Sequence, residues 1–476
     1  MGISKSTRNQ FLAALSVNLL SVSFGANFGL ITAYFPRMLS HDKLLADVDN
    51  INNVDNIYDV DNITDVDNIY DVDNIDDVGN IDVDQIQEFL NLYLALGAVI
   101  GAIVFGWMAE KFGRRRCLLL MVIPAMLSWL LIILIKDWRY LWIERIIAGS
   151  VGGCCYAVIP VYITEMAEDR FRGILGTFMP LGMTIGMSII HLLELMIGNW
   201  LAACIMIVID VAFLRILLFI PDSPEYLQRY NKKEVEKSLR YFRGISPSED
   251  AQYQVELAKL STFCETLENG VHRDENNLPV TNVSNQKALK AFIIGFGVIL
   301  AKLLTGYYNM HQLSKFYFTN ALDGHILVII AQLLGTFSAT LLVERVGRKP
   351  LLLNSTAGVG VGLVLILYKN RFEPSNYEGG YLLTIYLGAI GITTLDFVIS
   401  TEITPPKKRS LALRVQIALS ILMYPIFYKL PRVMEKLLIQ ADFLFANFSM
   451  LLTILFALYL PETKGKSIAE IQASLE

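Results

Sequence analysis

Apolar residues along this chain gather into runs of roughly 20, the length at which a helix spans the hydrocarbon core of a bilayer. Such runs fall near 11–35, 88–109, 117–136, 140–163, 174–195 and 199–220, and again near 289–311, 321–343, 351–368, 380–401, 411–430 and 440–460. They predict an all-α membrane protein with twelve transmembrane helices in two sets of six. Between the sets, Pro221 to Gln286 is polar. Within it Glu234–Arg243 and Gln252–Leu267 keep a helical spacing of apolar positions, and Glu268–Gln286 reads as linker. The expected organisation is a first half over 1–220, a linker with short helices over 221–288, and a second half with a tail over 289–476.

The polar interruptions set the topology. Gly106-Trp-Met-Ala-Glu-Lys-Phe-Gly-Arg-Arg-Arg116 stands between two apolar runs, and Glu344-Arg-Val-Gly-Arg-Lys349 stands at the matching place in the second set. Arginines and lysines do not enter hydrocarbon cheaply, and short basic loops favour the cytoplasmic side. Arg170, Arg172 and Lys407 to Arg409 fall on that same side, while Lys369 and Arg371 run against the rule. An even number of crossings then places both termini in the cytoplasm. The echo between the two loops points to a duplicated, pseudo-symmetric bundle.

Composition agrees: 54% of residues are hydrophobic and 18% charged, with a mean hydropathy of +0.47. The acid behind the net charge of −5 is concentrated in the outer loop 41–85, where units such as Asp59-Val-Asp-Asn-Ile-Thr64 and Asp65-Val-Asp-Asn-Ile-Tyr70 repeat. So little apolar surface and so much like charge predict a disordered loop. A calcium site is the weaker reading, because the spaced Gly and bidentate Glu of a calcium loop are missing. Asn62-Ile-Thr64 is the one glycosylation sequon expected outside the cell. No basic domain suggests nucleic acid, and the five cysteines, Cys117, Cys154, Cys155, Cys204 and Cys264, do not form a disulfide pattern. The first apolar run is read as a span and not as a cleaved signal. No phosphate loop, metal-ligand spacing or nucleophile–base pair suggests an enzyme, a metal or a cofactor.

Six motifs in order carry a resemblance. They are the two charged loops, Pro160-Val-Tyr-Ile-Thr-Glu165 with Arg172-Gly173, Glu402 with Arg409, Pro221-Asp-Ser-Pro-Glu-Tyr-Leu227, and Pro461-Glu-Thr-Lys-Gly465. With them the chain resembles the sugar porter family of the major facilitator superfamily almost end to end, in particular insect-type facilitated sugar and trehalose carriers. The resemblance implies a bundle that rocks about a central cavity, with a sugar and membrane lipid as its partners. It also implies a cytoplasmic gate of Arg114, Arg115, Arg116, Glu165, Arg172, Glu344, Arg348, Glu402 and Arg409, whose acid and base pairs lock the two halves together. The other reading of these charges is that they only anchor loops.

Carried across by distance from the motifs, the family's cavity positions have diverged. They hold Pro180, Lys302, Leu303, Tyr308, Asp396, Phe397 and Tyr424, and only Gln332 keeps an amide. Ionisable residues inside spans are rare and usually paired, so Lys302 and Asp396 are expected to form an ion pair across the cavity; the alternative is that each faces its own water. Asp210 and Arg215 are expected to pair locally. Asn27 stands where proton-coupled members of the family carry an Asp, and an amide does not titrate, which favours a facilitated carrier. Two rivals stay open: a carrier of another small solute, if Lys302 is unpaired, and a transport-dead relative serving as sensor or membrane partner, if side chains fill the cavity.

Overall fold

The computed structural model of the chain describes residues 4–52, 83–135, 137–269, 272–273, 279–280, 285–307, 310, 318, 321–372, 378–436 and 441–475. The core of the acidic repeat, with Asn62, and the predicted cavity residue Tyr308 lie outside them. The first half holds α1 Lys5–Asn52, α2 Val83–Phe112, α3 Arg114–Leu134, α4 Leu141–Met166, α5 Arg172–Glu194 and α6 Trp200–Leu217. The linker holds α7 Pro224–Tyr230, α8 Lys232–Arg243 and α9 Asp250–Asn269. The second half holds α10 Asn285–Leu304, α11 Ala321–Val346, α12 Arg348–Phe372, α13 Glu378–Ile403, α14 Arg409–Lys436 and α15 Ala441–Tyr459, followed by the tail helix α16 Ile468–Ala473.

Among the described residues, eleven helices are long and apolar enough to cross a membrane. The twelfth crossing is α10, whose apolar run is interrupted by Lys290 and Lys302. The outer surface of the bundle is apolar, as lipid requires: Ile123, Leu134, Phe219, Leu365 and Leu458 are all exposed. Polar groups are turned inward instead, among them Asn18, Ser21, Ser23, Asn27, Glu144 and Arg145. Lipid tails are as apolar as leucine, so what holds such helices together is close packing. In the first half this packing is backbone to backbone. Gly97 and Gly101 of α2 meet Ile146 and Ser150 of α4, and Gly149 and Gly153 of α4 meet Leu94 and Ala98 of α2, with no room for a Cβ at any of the four. Gly25 of α1 is pressed in the same way against Met183 of α5.

The duplication is visible at two glycines. Gly113 and Gly347 precede α3 and α12 with φ of 104° and 107°, a backbone conformation that side chains rarely adopt. Each turn exposes backbone N–H groups that a carboxylate from the end of its own half then caps. Asp222 accepts from Arg115 N of the turn at 3.2 Å, and from its own neighbour Ser223 N at 2.8 Å. Glu462 accepts from Arg348 N and Lys349 N, both at 3.0 Å. A Cβ on either glycine would collide with that carboxylate.

Helix α1 begins at Lys5, earlier than the apolar run predicts. The reason is polar docking: Asn9 donates to Tyr241 O at 2.7 Å, and Gln10 to Glu168 at 2.9 Å and Phe242 O at 3.1 Å, so this end rests on the linker. Helices α5 and α6 join through Gly198, whose φ of 77° makes the turn.

Candidate functional site

The loops α2–α3, α4–α5, α11–α12 and α13–α14 meet on one face of the bundle, the basic face. One corner of it is closed around Arg348, of which 1% is exposed. Its guanidinium holds Glu344 at 2.9 and 3.1 Å and Glu402 at 3.1 Å. Thr463, in the segment after α15, donates to the other Glu402 oxygen at 2.6 Å. The opposite half then plugs in. Ile174 N, in the first turn of α5, donates to Glu344 at 3.2 Å, and Gly173 sits so near Arg348 Nη2 that a Cβ would collide with it.

The second corner has the same parts in another arrangement. Arg114 pairs with Glu165 at 2.7 Å and lies over the Tyr226 ring, 5.0 Å from its centroid. Glu110, at the same offset from Arg114 as Glu344 from Arg348, turns away and pairs across the halves with Arg414 of α14 at 2.7 Å. Arg409 is 2% exposed, and its Nε and Nη2 have no hydrogen-bond partner. It borders a cavity of about 230 Å³ lined also by Arg114, Glu165, Arg229, Lys407 and Ser410. Beside it Glu225 of α7 is buried, and burial, with some help from Glu165, pushes its carboxyl up to about 7 against the pull of Arg409, Arg229 and Arg172.

The expected gate is corrected in detail. Arg114–Glu165 and Arg348–Glu402 do not lock one half to the other; each ties helices within its own half, because both partners stand on neighbouring helices of one bundle. Among the described residues the ties between halves include Glu110–Arg414, Ile174 N to Glu344, Thr164 to Thr401 at 3.3 Å and, at the far end of α2 and α14, Glu88–Lys429 at 2.8 Å. Arg115 reaches the carbonyls of Leu217 and Leu218 at 3.1 and 2.6 Å, where it satisfies the end of α6. Arg116 is exposed, and Arg172 pairs with Asp169. Glu110 and Arg414 were missed, though the offset shared by Glu110 and Glu344 marks the first of them.

At the centre, Lys302 Nζ stands 2.5 Å from Asp396 Oδ2. The pair joins α10 to α13 within the second half and so does not bridge the two halves. Both helices break here. Helix α10 ends shortly after Lys302 and Gly306 takes φ 67°, while α13 is interrupted before Asp396, which begins its second segment. A cation in a last helical turn and a carboxylate in a first turn each suit the local helix dipole. Lys302 also lies 5.0 Å from the Phe397 ring centroid and 6.0 Å from that of Tyr156. These two rings, one from each half, stack at 4.9 Å with 28° between planes. Leu303 is buried, and Pro180 and Tyr424 are half-buried. Gln332 is half-buried, and its Oε1 has no hydrogen-bond partner.

The first half holds charges that were not singled out from the sequence. Glu144 is fully buried, 2.5 Å from Arg145 Nε, and accepts from Asn27 at 2.8 Å; Arg145 in turn donates to Asn27 O at 3.1 Å. An adjacent Glu-Arg near the start of an apolar run is the signal that would have found them. Asp210 does not pair with Arg215. Its carboxylate is fully buried with neither oxygen hydrogen-bonded, beside Ser23, whose hydroxyl accepts from Trp129 Nε1 at 2.9 Å.

Residues 58–475 match the profile of the sugar (and other) transporter family. The chain is 27% identical over 402 residues to Sugar transporter ERD6-like 6 of Arabidopsis thaliana, covering 79% of this chain and 80% of that one. It is 25% identical over 406 residues to the human solute carrier family 2, facilitated glucose transporter member 7, covering 79% and 77%. Among solved structures it is similar to the major facilitator superfamily proton:xylose symporter XylE bound to 6-bromo-6-deoxy-D-glucose, with a TM-score of 0.75 at 18% identity over 99% of this chain and 100% of that one. It is also similar to the human organic anion transporter MFSD10, with a TM-score of 0.61 at 14% identity over 94% and 98%. At these identities the structural likeness is one of fold.

Proposed function

This chain belongs to the sugar (and other) transporter family and has the twelve-helix fold of the major facilitator superfamily, and we propose that it carries a sugar across a membrane by alternating access. The observation that carries the reading is the centre of the molecule. Two helices break at one level there, and the rings of Tyr156 and Phe397 meet between the halves beside a neutralised ion pair. Broken helices near the midplane are where carriers of this kind build binding sites. Aromatic faces suit the apolar face of a sugar ring, and an amide such as Gln332 suits its hydroxyls. A hexose or a disaccharide such as trehalose is the substrate class. A charged solute is disfavoured because Lys302 is already paired.

In this reading 1–220 and 289–476 are the rocking halves and 221–288 joins them on the cytoplasmic side. The basic face is cytoplasmic, both termini lie there, the membrane is the plasma membrane, and Asn62 is glycosylated outside. Transport is facilitated, since Asn27 carries no proton. A second reading, proton-coupled transport, is favoured by Asp210 alone. A carboxylate buried within a span beside the Ser23 hydroxyl is a place where a proton exchanged on opening would couple to movement of the sugar.

The test is uptake of labelled glucose and trehalose into proteoliposomes, with and without an imposed pH gradient. Saturable uptake that equilibrates without the gradient is expected. Gradient-driven accumulation that is lost in Asp210→Asn would establish the second reading. Uptake gained only by a Lys302→Gln, Asp396→Pro, Pro180→Gln variant would show that the chain does not transport and serves as a sensor or membrane partner.

A further inference from the structure

We propose that the cavity at the second corner of the basic face is a binding site for a phosphate group, which completes the corner the protein alone leaves open. Arg409 is the group left unsatisfied there. Almost nothing of this guanidinium reaches solvent, yet Nε and Nη2 meet no acceptor, and a buried donor on a charged group left unmade is among the costlier defects a protein carries. Its counterpart in the other half, Arg172, also leaves Nε unmet but gives Nη2 to Asp169, so the difference between them lies at Nη2. The cavity it borders, about 230 Å³, is far above the ~15 Å³ that one water needs.

Charge in the lining favours an anion. Arg114, Arg229, Lys407 and Arg409 face two carboxylates, Glu110 and Glu165. Glu110 is engaged by Arg414, which stands outside the lining, and Glu165 gives one oxygen to Arg114 while its Oε2 stays buried without a partner; with Glu225 behind the wall, the cations still outnumber the carboxylates. Arg229 has only a long contact to Glu225, at 3.9 Å. Arg229 thus shares the unmet donor character of Arg409, since its Nε also lacks a partner. Forked guanidiniums converging from two directions match the oxygens of a phosphate, which accept several charge-assisted hydrogen bonds at once. Exposed Tyr230 and Lys407 form the rim. A phosphate reaches the site as inorganic phosphate or as the headgroup of a phosphatidic acid, and the experiment separates the two.

The lining comes from three parts of the chain: α2 to α4 of the first half, α7 of the linker, and the α13–α14 loop of the second half. An occupant therefore ties both halves to the linker and opposes opening of this face. That consequence rests on the alternating-access reading, whereas binding itself does not, so the two can fail separately.

The full chain in phosphatidylcholine nanodiscs is titrated with inorganic phosphate while its melting temperature is followed, against sodium chloride at matched ionic strength. In the second arm phosphatidic acid is added to the nanodisc without free phosphate. A saturable rise in one arm beyond the chloride control is expected, and the arm in which it appears identifies the source. Arg409→Gln is expected to weaken binding at least tenfold and Lys407→Gln severalfold, while Lys233→Gln, at an exposed position of α8, leaves it unchanged. Each variant is judged by its ligand-induced shift, so a lower starting stability does not count. No rise in either arm, or rises of equal size and midpoint in wild type and Arg409→Gln, would overturn the site.

Discussion

At one corner of the basic face Arg348 is gripped by Glu344 and Glu402, and the start of α5 is seated against it. At the other, Glu110 leaves Arg114 for Arg414 and a cavity opens beside Arg409. The two corners descend from one pattern, so the difference must lie in a few substitutions, and two are identifiable. Gly173 has no side chain and lets Arg348 come in, while Ser410 occupies its place at the second corner. Arg414 draws Glu110 across the interface, while Thr177, at the same offset from Arg172, spends its hydroxyl on Ile174 O at 2.7 Å. Duplication supplied matched parts. Small changes at the receiving helix then made one corner a closed latch and the other an open one.

The largest effect is expected from Arg348→Ala. It leaves two carboxylates without their cation, a change of about 3–5 kcal/mol for a broken buried pair, and the melting temperature of the purified protein should fall accordingly. Arg409→Ala should cost far less, because among the described residues that guanidinium makes no ion pair; equal losses would erase the distinction between the corners. Next comes Gly173→Ser, which gives the first corner the residue of the second. Its hydroxymethyl displaces Arg348, for about 1–3 kcal/mol of overpacking strain, and should raise the reactivity of a thiol reporter introduced beneath the corner. A smaller change, about 1 kcal/mol, is expected of Arg414→Thr, which removes a tie exposed only on its Glu110 side and returns Glu110 to Arg114, as read by thermal unfolding.

The pH dependence is the finest probe. Glu225 is raised from an ordinary carboxylate value to about 7, so the folded protein holds its proton more tightly than the unfolded chain. Its contribution is fully present below about 4.5 and is lost as pH rises through about 7. Stability should therefore decline across that window in wild type and decline less in Glu225→Gln. An identical slope in both would remove Glu225 from the second corner's energetics.

The fold was readable from the sequence because a bilayer leaves the chain few choices. Apolar runs of spanning length and two basic loops are enough to specify twelve helices in two sets. Lys302 and Asp396 were readable for the same reason, since two opposite charges inside spans have to find each other. What escaped was geometry that depends on partners far apart in sequence. Nothing near Glu110 announces Arg414, and nothing near Asp222 announces that it caps α3. Interruptions such as the one before Asp396 also escaped, because an apolar helix and an apolar helix with a break read alike in hydropathy.

The central claim, that the halves rock and that the basic face must open for sugar to pass, is tested most directly by joining them. Cysteines placed at Glu110 and Arg414 are bridged with a reductant-cleavable thiol cross-linker, and labelled hexose flux through proteoliposomes is followed before bridging, after it, and after reduction. The account predicts flux that stops on bridging and returns on reduction, with the single-cysteine variants unaffected. Flux that continues undiminished across the bridge would contradict it.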